Sequence, residues 1–235
     1  MKRLVAVLMF FVAVLGIAAG YQFYLDHKGS TVEEARSTLP ARLESKSLAM
    51  GKPIFVRIFK EESLLEVWMQ RNGRWTLFQG YPICRWSGQL GPKLKTGDKQ
   101  APEGFYTVGL TQLNPNSRWH LSFNLGFPNR YDRSYGRTGS FLMVHGGCSS
   151  AGCYAMTNAA VDDIYRLVEA ALRGGQSGVP VHIFPFRMTA ANMAQHRHSR
   201  WIAFWRDLKR GYEFFETRRA VPAIRVVERS YIVEG

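Results

Sequence analysis

The sequence is poor in the side chains that bind metal ions. It has three cysteines and six histidines in 235 residues, whereas a structural zinc site usually takes four such ligands from closely spaced pairs. The one histidine pair, "HRH" at residues 196–198, is typical of a basic helix junction. We therefore predict no metal and no cofactor, and we expect any chemistry to come from side chains and backbone alone.

Acidic residues are also scarce. The chain has 18 Asp and Glu against 31 Lys and Arg, for a formal net charge of +13, and residues 187–229 carry ten basic against four acidic residues. Such a surface attracts polyanions. A patch for an anionic membrane or anionic wall surface is one interpretation of this segment, and an ordinary solvated helix face is the other.

Long apolar runs are missing except at the N-terminus. Two basic residues precede an uncharged run from Leu4 to Ala19, which is the layout of an export signal. The run is short for a membrane span, although Tyr21 and Phe23 could extend it into an uncleaved anchor. We predict that residues 1–22 are a signal peptide or inner-membrane anchor and that the protein is periplasmic, which argues against nucleic acid as a partner.

The rest of the chain divides by composition into three parts. The polar residues 23–52 predict a linker. Residues 53–189 alternate short β-branched and aromatic runs with turn residues, including the hairpin signal Asn72-Gly73, and predict a mainly β (α+β) domain with one packed helix. Residues 190–235 predict a basic, aromatic helical appendage.

Two longer helices have predicted ends. The first has Asn158 as its N-cap and Gly174 as its end, with apolar residues at helical spacing between them. The second has Ser199 as its cap and carries an aromatic face, which favours core packing over a ligand groove. A short helix is expected over 40–47, and a last extended segment over 223–233.

The segment "LMVHGGCSSAGCYAMTN", residues 142–158, concentrates reactive side chains. A cysteine attacks carbonyls as the thiolate, which a neighbouring histidine or a helix N-terminus favours. Cys153 lies shortly before the predicted helix, and His145 lies upstream at the end of an apolar strand. This arrangement favours Cys153 as a nucleophile, with backbone amides around Gly152 as oxyanion donors.

The three cysteines allow several pairings. At most one disulfide can form within the chain, so an oxidising compartment leaves at least one thiol to be buried or used. Cys148 could bridge to Cys153 across a short loop, or Cys84 could bridge to Cys148 and leave Cys153 free. Simple burial of the cysteines is the third alternative, and the residues alone leave all three open.

Several motifs follow one another in the order of a known catalytic domain. They are "GDKQAPEGFYTV", "SFNLGFPNRYDRSYGRTGSFLMVHGG", "VHGGCSSAGCYAM" and "VPVHIFPFRMT". The first and third resemble the upstream hairpin and the active-site segment of YkuD-type L,D-transpeptidases, and the other two resemble the YafK-like branch of that family. The resemblance runs from about Ile54 to Thr189 and implies a YkuD-like β-sandwich or barrel.

The resemblance also implies a reaction and its residues. Such enzymes act on peptidoglycan stem peptides at the L-centre of diaminopimelate, through a cysteine thioester. Carried over by position, Cys153 is the nucleophile, His145 is the general base, and the Gly146 carbonyl orients the imidazole. The oxyanion region would be lined by Ser150, Gly152 and Tyr154.

A basic loop upstream of this segment offers possible substrate contacts. Its candidates for holding stem-peptide carboxylates are Arg130, Tyr131, Arg133 and Arg137. An ordinary solvated loop is the alternative.

The sequence is compatible with either an amine or water as the acceptor of the acyl group. An amine acceptor gives transpeptidation, whereas water gives hydrolysis, and the YafK-like branch includes amidases that release an outer-membrane lipoprotein from peptidoglycan. The chain departs from the common family pattern in its short His–Cys spacer and in Ala155, where Arg or Asn is usual; both bear on donor recognition. The non-catalytic alternatives are a peptidoglycan-binding module with an idle thiol and a membrane-tethered scaffold.

Overall fold

The computed structural model of the protein describes residues 39–235. The predicted signal or anchor, residues 1–22, and the first part of the predicted linker lie outside the described residues. Residues 39–45 are helical, in agreement with the short helix expected there, and residues 43–235 form one compact unit. In the described part of the chain, no helix has the length and apolar character needed to cross a membrane.

The first of two five-stranded sheets carries much of the hydrophobic core. Asn72 and Gly73 both have positive φ, which confirms the predicted hairpin in this sheet. One central strand is buried along its whole length, as expected for a strand covered on both faces; it pairs in parallel with one neighbour, and the other pairs are antiparallel. In spatial order the strands are β3 (Arg74–Pro82), β2 (Leu64–Arg71), the buried β1 (Ile54–Phe59), its parallel neighbour β10 (Val179–Phe184) and β5 (Gly104–Val108).

The second sheet carries the reactive segment. Two neighbouring strands, β8 (Met143–His145) and β9 (Tyr154–Ala155), are parallel, and the other pairs in this sheet are antiparallel. Two strands have only two residues each, too short to show a sequence pattern. In spatial order the strands are β4 (Arg85–Trp86), β9 (Tyr154–Ala155), β8 (Met143–His145), β7 (His120–Asn124) and β6 (Leu113–Ser117).

The helices in the compact unit are α1 (Arg130–Ser134), α2 (Asn158–Arg173), α3 (Ala190–Gln195) and α4 (Ile202–Arg218). Helix α2 buries its predicted apolar stripe and contacts strands of both sheets. It ends at Gly174 as predicted, but its N-cap is Thr157, whose hydroxyl accepts a hydrogen bond from the Ala160 N–H. Asn158 was therefore the wrong cap; its side-chain oxygen accepts from the Gly147 N–H instead.

The C-terminal segment differs from its prediction at two points. Helix α4 begins after Trp201, and Ser199 is not its cap, because the Ser199 hydroxyl accepts from the Trp201 N–H in the preceding turn. The last extended segment is a hairpin of β11 (Ala223–Val227) and β12 (Ser230–Glu234). Its turn residues, Glu228 and Arg229, have positive φ, and neither is a residue that usually marks such a turn.

The aromatic face of α4 packs against the first sheet. Phe215 lies 4.9 Å from Phe55 between ring centroids, which confirms that the aromatic stripe is core. A buried cluster further joins α4 and β12 to the strands through Phe59, Phe105, Phe184, Trp205, Leu208, Tyr212 and Tyr231. The α+β architecture is confirmed, and residues 190–235 share a core with the sheet. The domain boundaries at 52 and 189 stay predictions.

Candidate active site

Cys153 and His145 lie on one face of the second sheet. In the parallel pair of β8 and β9, Val144 is opposite Tyr154 and His145 is opposite Ala155. Side chains alternate between faces along a strand. Val144 and Tyr154 are fully buried in the core, so His145 and the residue just before β9, Cys153, are directed to the other face.

Both side chains line a cavity of about 390 Å³. This volume falls in the range of clefts that bind small molecules or short segments of larger ones. The remaining walls come from the β6–β7 turn, the chain leading into β8 and the serine-rich loop: Asn114, Ser117, Arg118, Trp119, Phe141, Met143, Ser149, Ser150 and Ala151.

The His145 imidazole is held by the adjacent peptide group. Its Nδ1 lies 2.6 Å from the Gly146 carbonyl oxygen. Because a carbonyl only accepts, Nδ1 carries the proton, and Nε2 keeps its lone pair in the neutral ring. Burial lowers the pKa of His145, and the Gly146 contact partly opposes that shift. At neutral pH the ring is therefore neutral and can accept a proton at Nε2.

Cys153 supplies the free thiol of the chain. Its Sγ lies 3.6 Å from the Phe141 carbonyl oxygen, to which the thiol donates a weak hydrogen bond. Burial raises the pKa of the Cys153 thiol, whereas a backbone hydrogen bond at Met143 and the charge of Lys93 act to lower it. Thiol and imidazole are thus both neutral at rest, so the proton must leave the sulfur as the sulfur attacks.

A disulfide fixes the loop between the two groups. Cys84 is bonded to Cys148, so of the pairings that the sequence left open, the Cys148–Cys153 bridge is wrong. The Cys148 N–H also donates to the Met156 carbonyl oxygen at 3.3 Å. The loop is therefore anchored at its middle, and Cys153 is left unbonded.

The three predicted oxyanion residues occupy different positions. The Ser150 hydroxyl lines the cavity and donates to the Cys153 carbonyl oxygen at 2.7 Å, so it shapes the turn before the nucleophile. Gly152 has a φ of +125°, which L side chains rarely adopt. The Tyr154 hydroxyl donates to the buried Pro102 carbonyl at 2.6 Å. Any oxyanion contact from Gly152 or Tyr154 would therefore come from the backbone N–H, and that role stays a prediction.

The four candidate substrate residues of the basic loop do not line this cavity. Arg137 is buried, with Nη1 2.8 Å from the Asp132 carboxylate. Tyr131 is buried and stacks on Tyr231. Arg130 and Arg133 line a different cavity. The expectation that these residues contact substrate beside Cys153 has no support in this arrangement.

Two cavity residues at the β6–β7 turn, Arg118 and Trp119, were not predicted from the sequence. The Arg118 guanidinium lies 5.5 Å from the centre of the Trp119 ring, and that ring lies 5.9 Å from the His145 ring. Trp119 is 41% exposed. A guanidinium and an exposed ring in the same cavity as Cys153 suit a peptide that carries carboxylates. The sequence feature that could have identified them is a tryptophan within the otherwise polar stretch "NSRWH".

The resting protonation state can be tested by alkylation. We expect the rate of Cys153 modification by iodoacetamide to rise through an inflection above about pH 8.5, the ordinary cysteine value, because burial raises the pKa of this thiol. The measurement is the modification rate by intact-mass spectrometry between about pH 5 and about pH 10, with Cys153→Ala as the blank. A fast rate plateau below neutral pH would instead show a preformed thiolate–imidazolium pair.

Solved structures provide one comparison. A variant of the helical cell shape determining protein Pgp2 from Campylobacter jejuni is 20% identical with a TM-score of 0.47, and the match covers 77% of this chain and 64% of that one. Bd1075 from Bdellovibrio bacteriovorus is 16% identical with a TM-score of 0.41, with 77% and 82% covered.

Sequence comparisons are more decisive. Residues 54–183 match the YkuD family model, described as an L,D-transpeptidase catalytic domain. The chain is 48% identical over 197 residues to YafK of Escherichia coli (strain K12), a protein named as a candidate L,D-transpeptidase, with 84% of this chain and 80% of that protein covered. YafK of Escherichia coli O157:H7 gives the same values. The resemblance seen in the motifs is confirmed, and the chain belongs to the YkuD family of L,D-transpeptidase catalytic domains.

Proposed function

We propose that the protein is a cysteine acyltransferase acting on peptidoglycan stem peptides at the L-centre of diaminopimelate. Its family supports an L,D-transpeptidase type of enzyme. One observation carries the proposal: the unbonded Cys153 and the neutral, oriented His145 line the same cavity. A peptidoglycan-binding module would have no need of a base that lines the same cavity as its thiol.

Acylation uses both groups in turn. The Cys153 sulfur attacks the carbonyl carbon as its proton passes to Nε2 of His145, and the Gly146 carbonyl stabilises the imidazolium through Nδ1–H. Backbone N–H groups near Gly152 are the expected donors to the oxyanion. The imidazolium then protonates the amine of the next residue, the amide bond breaks, and a thioester remains.

Deacylation decides the class of product. His145 takes a proton from the acceptor, the acceptor attacks the thioester carbonyl, and the sulfur leaves and regains its proton. An amine acceptor forms a new amide, which is transpeptidation. Water forms a carboxylate, and if the first leaving group is a lipoprotein lysine amine, the enzyme is an amidase that releases lipoprotein from peptidoglycan. We hold the amidase as the alternative, because the same thioester serves both.

Recognition of the stem peptide is assigned to the β6–β7 turn. Arg118 has no ion pair in the described part of the chain and lines the cavity next to the nucleophile. Its planar guanidinium can bind a diaminopimelate carboxylate through two parallel hydrogen bonds. The exposed Trp119 ring offers an apolar surface for the side-chain methylenes.

We also propose that the protein acts in the periplasm. The Cys84–Cys148 disulfide supports an oxidising compartment. The export-signal layout of residues 1–22 supports the same location.

The test is product analysis on purified sacculi that contain diaminopimelate, with and without bound lipoprotein, in isotopically labelled water. A transpeptidase gives cross-links between two diaminopimelate residues or exchanged D-amino acids. An amidase gives freed lipoprotein and one labelled oxygen in the new carboxylate. The doubly substituted Cys84→Ala/Cys148→Ala chain should still form product. If the intact chain binds sacculi tightly yet forms none, the enzyme proposal is wrong and the binding module is favoured.

A further inference from the structure

A second, larger cavity shares no lining residue with the cysteine site. It has a volume of about 820 Å³ and is formed by residues of α1, α4 and the β11–β12 turn, with the segments next to them. Five arginines line it: Arg137, Arg200, Arg206, Arg210 and Arg229. The lining contains a single carboxylate, that of Asp207.

The charges around this cavity are not balanced. Asp207 is paired with Arg210, and Arg137 is paired with Asp132. The other three arginines have no ion pair with a residue that the structure describes. Three like charges around one cavity repel one another, so an anion bound between them would be stabilised.

Arg137 adds an unused donor at the inner wall. The residue is only 7% exposed, and its Nε has no hydrogen-bond partner. Its guanidinium is 5.3 Å from the ring centre of Tyr131 and 4.9 Å from that of Phe204. A buried donor without a partner costs free energy.

Two of the unpaired arginines are stacked on aromatic rings. Arg200 lies 4.6 Å from the ring centre of Trp201, and Arg229 lies 5.6 Å from that of Tyr135. Stacking orients a guanidinium plane and leaves its edge N–H groups free for a planar or tetrahedral anion. The cavity therefore combines oriented cationic donors with apolar walls.

We propose that this cavity binds a phosphate ester. A phosphate monoester carries nearly two negative charges and three strong acceptor oxygens, which suits three unpaired arginines better than a single carboxylate would. The volume leaves room for the organic part of the ligand against the aromatic walls. The phosphate monoester can come from a free phosphorylated molecule or from a phospholipid whose head group is itself a monoester, as in phosphatidic acid. This site is independent of the proposed cysteine chemistry.

The test compares two sets of three substitutions in the full chain. Arg200→Gln/Arg206→Gln/Arg229→Gln removes the unpaired cavity charges. Arg74→Gln/Arg85→Gln/Arg166→Gln removes the same charge from exposed positions outside the cavity. The probes are sn-glycerol 3-phosphate, by calorimetric titration, and phosphatidylcholine vesicles with or without phosphatidic acid, by flotation. Because every chain keeps the apolar N-terminal run, its effect on vesicle binding cancels.

We expect saturable one-to-one binding of a probe that weakens at least about tenfold (about 1.4 kcal/mol) in the cavity variant and changes little in the control. Binding of glycerol phosphate identifies a free phosphate ester as sufficient. Binding only to vesicles that contain phosphatidic acid identifies a lipid head group. The proposal is overturned if neither probe binds, or if both variants weaken binding equally, since that result would reflect net charge alone.

Discussion

Substituting alanine for Cys153 is expected to lower kcat/KM on diaminopimelate-containing sacculi by at least about 10⁴-fold, as loss of a catalytic nucleophile does. Cys84 and Cys148 are bonded to each other, so no second thiol is available to replace the lost one. The covalent intermediate should vanish with the activity. The measurement is intact-mass spectrometry of the quenched enzyme, which should show an acyl adduct on the original chain and none on Cys153→Ala.

Two companion variants separate this chemistry from folding. Cys84→Ala/Cys148→Ala keeps the nucleophile and base and should still form the adduct, although loss of the disulfide costs up to about 4 kcal/mol of stability. His145→Gln should lower kcat/KM by about 10² to 10⁴, the usual contribution of a general base. Activity of Cys153→Ala close to that of the original chain would assign the reaction to another group.

The pH profile distinguishes a base from a merely structural histidine. Burial lowers the pKa of His145, and the neutral ring is the active form. Activity is therefore retained as pH falls to the ordinary histidine value of about 6.5, and it is lost only below that. This acid limb should be absent from the residual activity of His145→Gln.

Local sequence patterns accounted for the longer strands and for α2, because alternation, turn residues and helix ends act over short distances. They did not reveal β6, whose residues "LNPNS" show no alternation, or β4 and β9, because a two-residue strand is too short to show an alternating pattern. The turn at Glu228 and Arg229 was also not predicted, because its residues are not ones that mark a turn. Its positive φ values are adopted without the Gly or Asn that would predict them.

The Cys–His pair was predictable because both residues lie in one short segment. The opposite wall of the cavity could not be predicted from the sequence, because its position depends on how the strands pair. β7 pairs with β8 so that Ser122 lies opposite His145, and this register brings the preceding turn, with Trp119, over the site. Proximity in sequence was also misleading: Arg137 lies only eight residues before His145 in the chain, yet its side chain is paired with Asp132.

The largest expected loss of stability comes from Glu103→Ala, at about 3 to 5 kcal/mol of the free energy of unfolding. The Glu103 carboxylate is fully buried and lies 3.0 Å from the Lys60 ammonium. It also accepts from the Trp205 indole N–H at 2.9 Å and from the Gly91 N–H at 2.6 Å. Burial lowers the pKa of Lys60, and the charge of Glu103 opposes that shift. Alanine would leave the buried ammonium without its counter-ion, bound only by three backbone carbonyls, and two donors without an acceptor.

Guanidinium unfolding of the full chain measures this loss, with Glu169→Ala as the matched control. Glu169 pairs with Arg173 on the surface of α2, so its removal should cost less than about 0.5 kcal/mol. The double variant Lys60→Met/Glu103→Met removes both buried charges and should recover the part of the loss that comes from the unpaired ammonium, whereas the Trp205 and Gly91 N–H groups still lack their acceptor. A loss below about 1 kcal/mol for Glu103→Ala would show that solvent or another group satisfies Lys60.

The Glu103 carboxylate also connects the "APEG" motif to the C-terminal segment through a hydrogen bond. Glu103 joins Trp205 of α4 to Lys60 at the end of β1. Its neighbour Pro102 accepts the Tyr154 hydroxyl, and Tyr154 directly follows the nucleophile. A hydrogen bond between residues 102 positions apart has no local signature, so the sequence predicted α4 as an appendage. In the folded chain, α4 and β9 are both hydrogen-bonded to this segment, α4 through Trp205 to Glu103 and β9 through Tyr154 to Pro102.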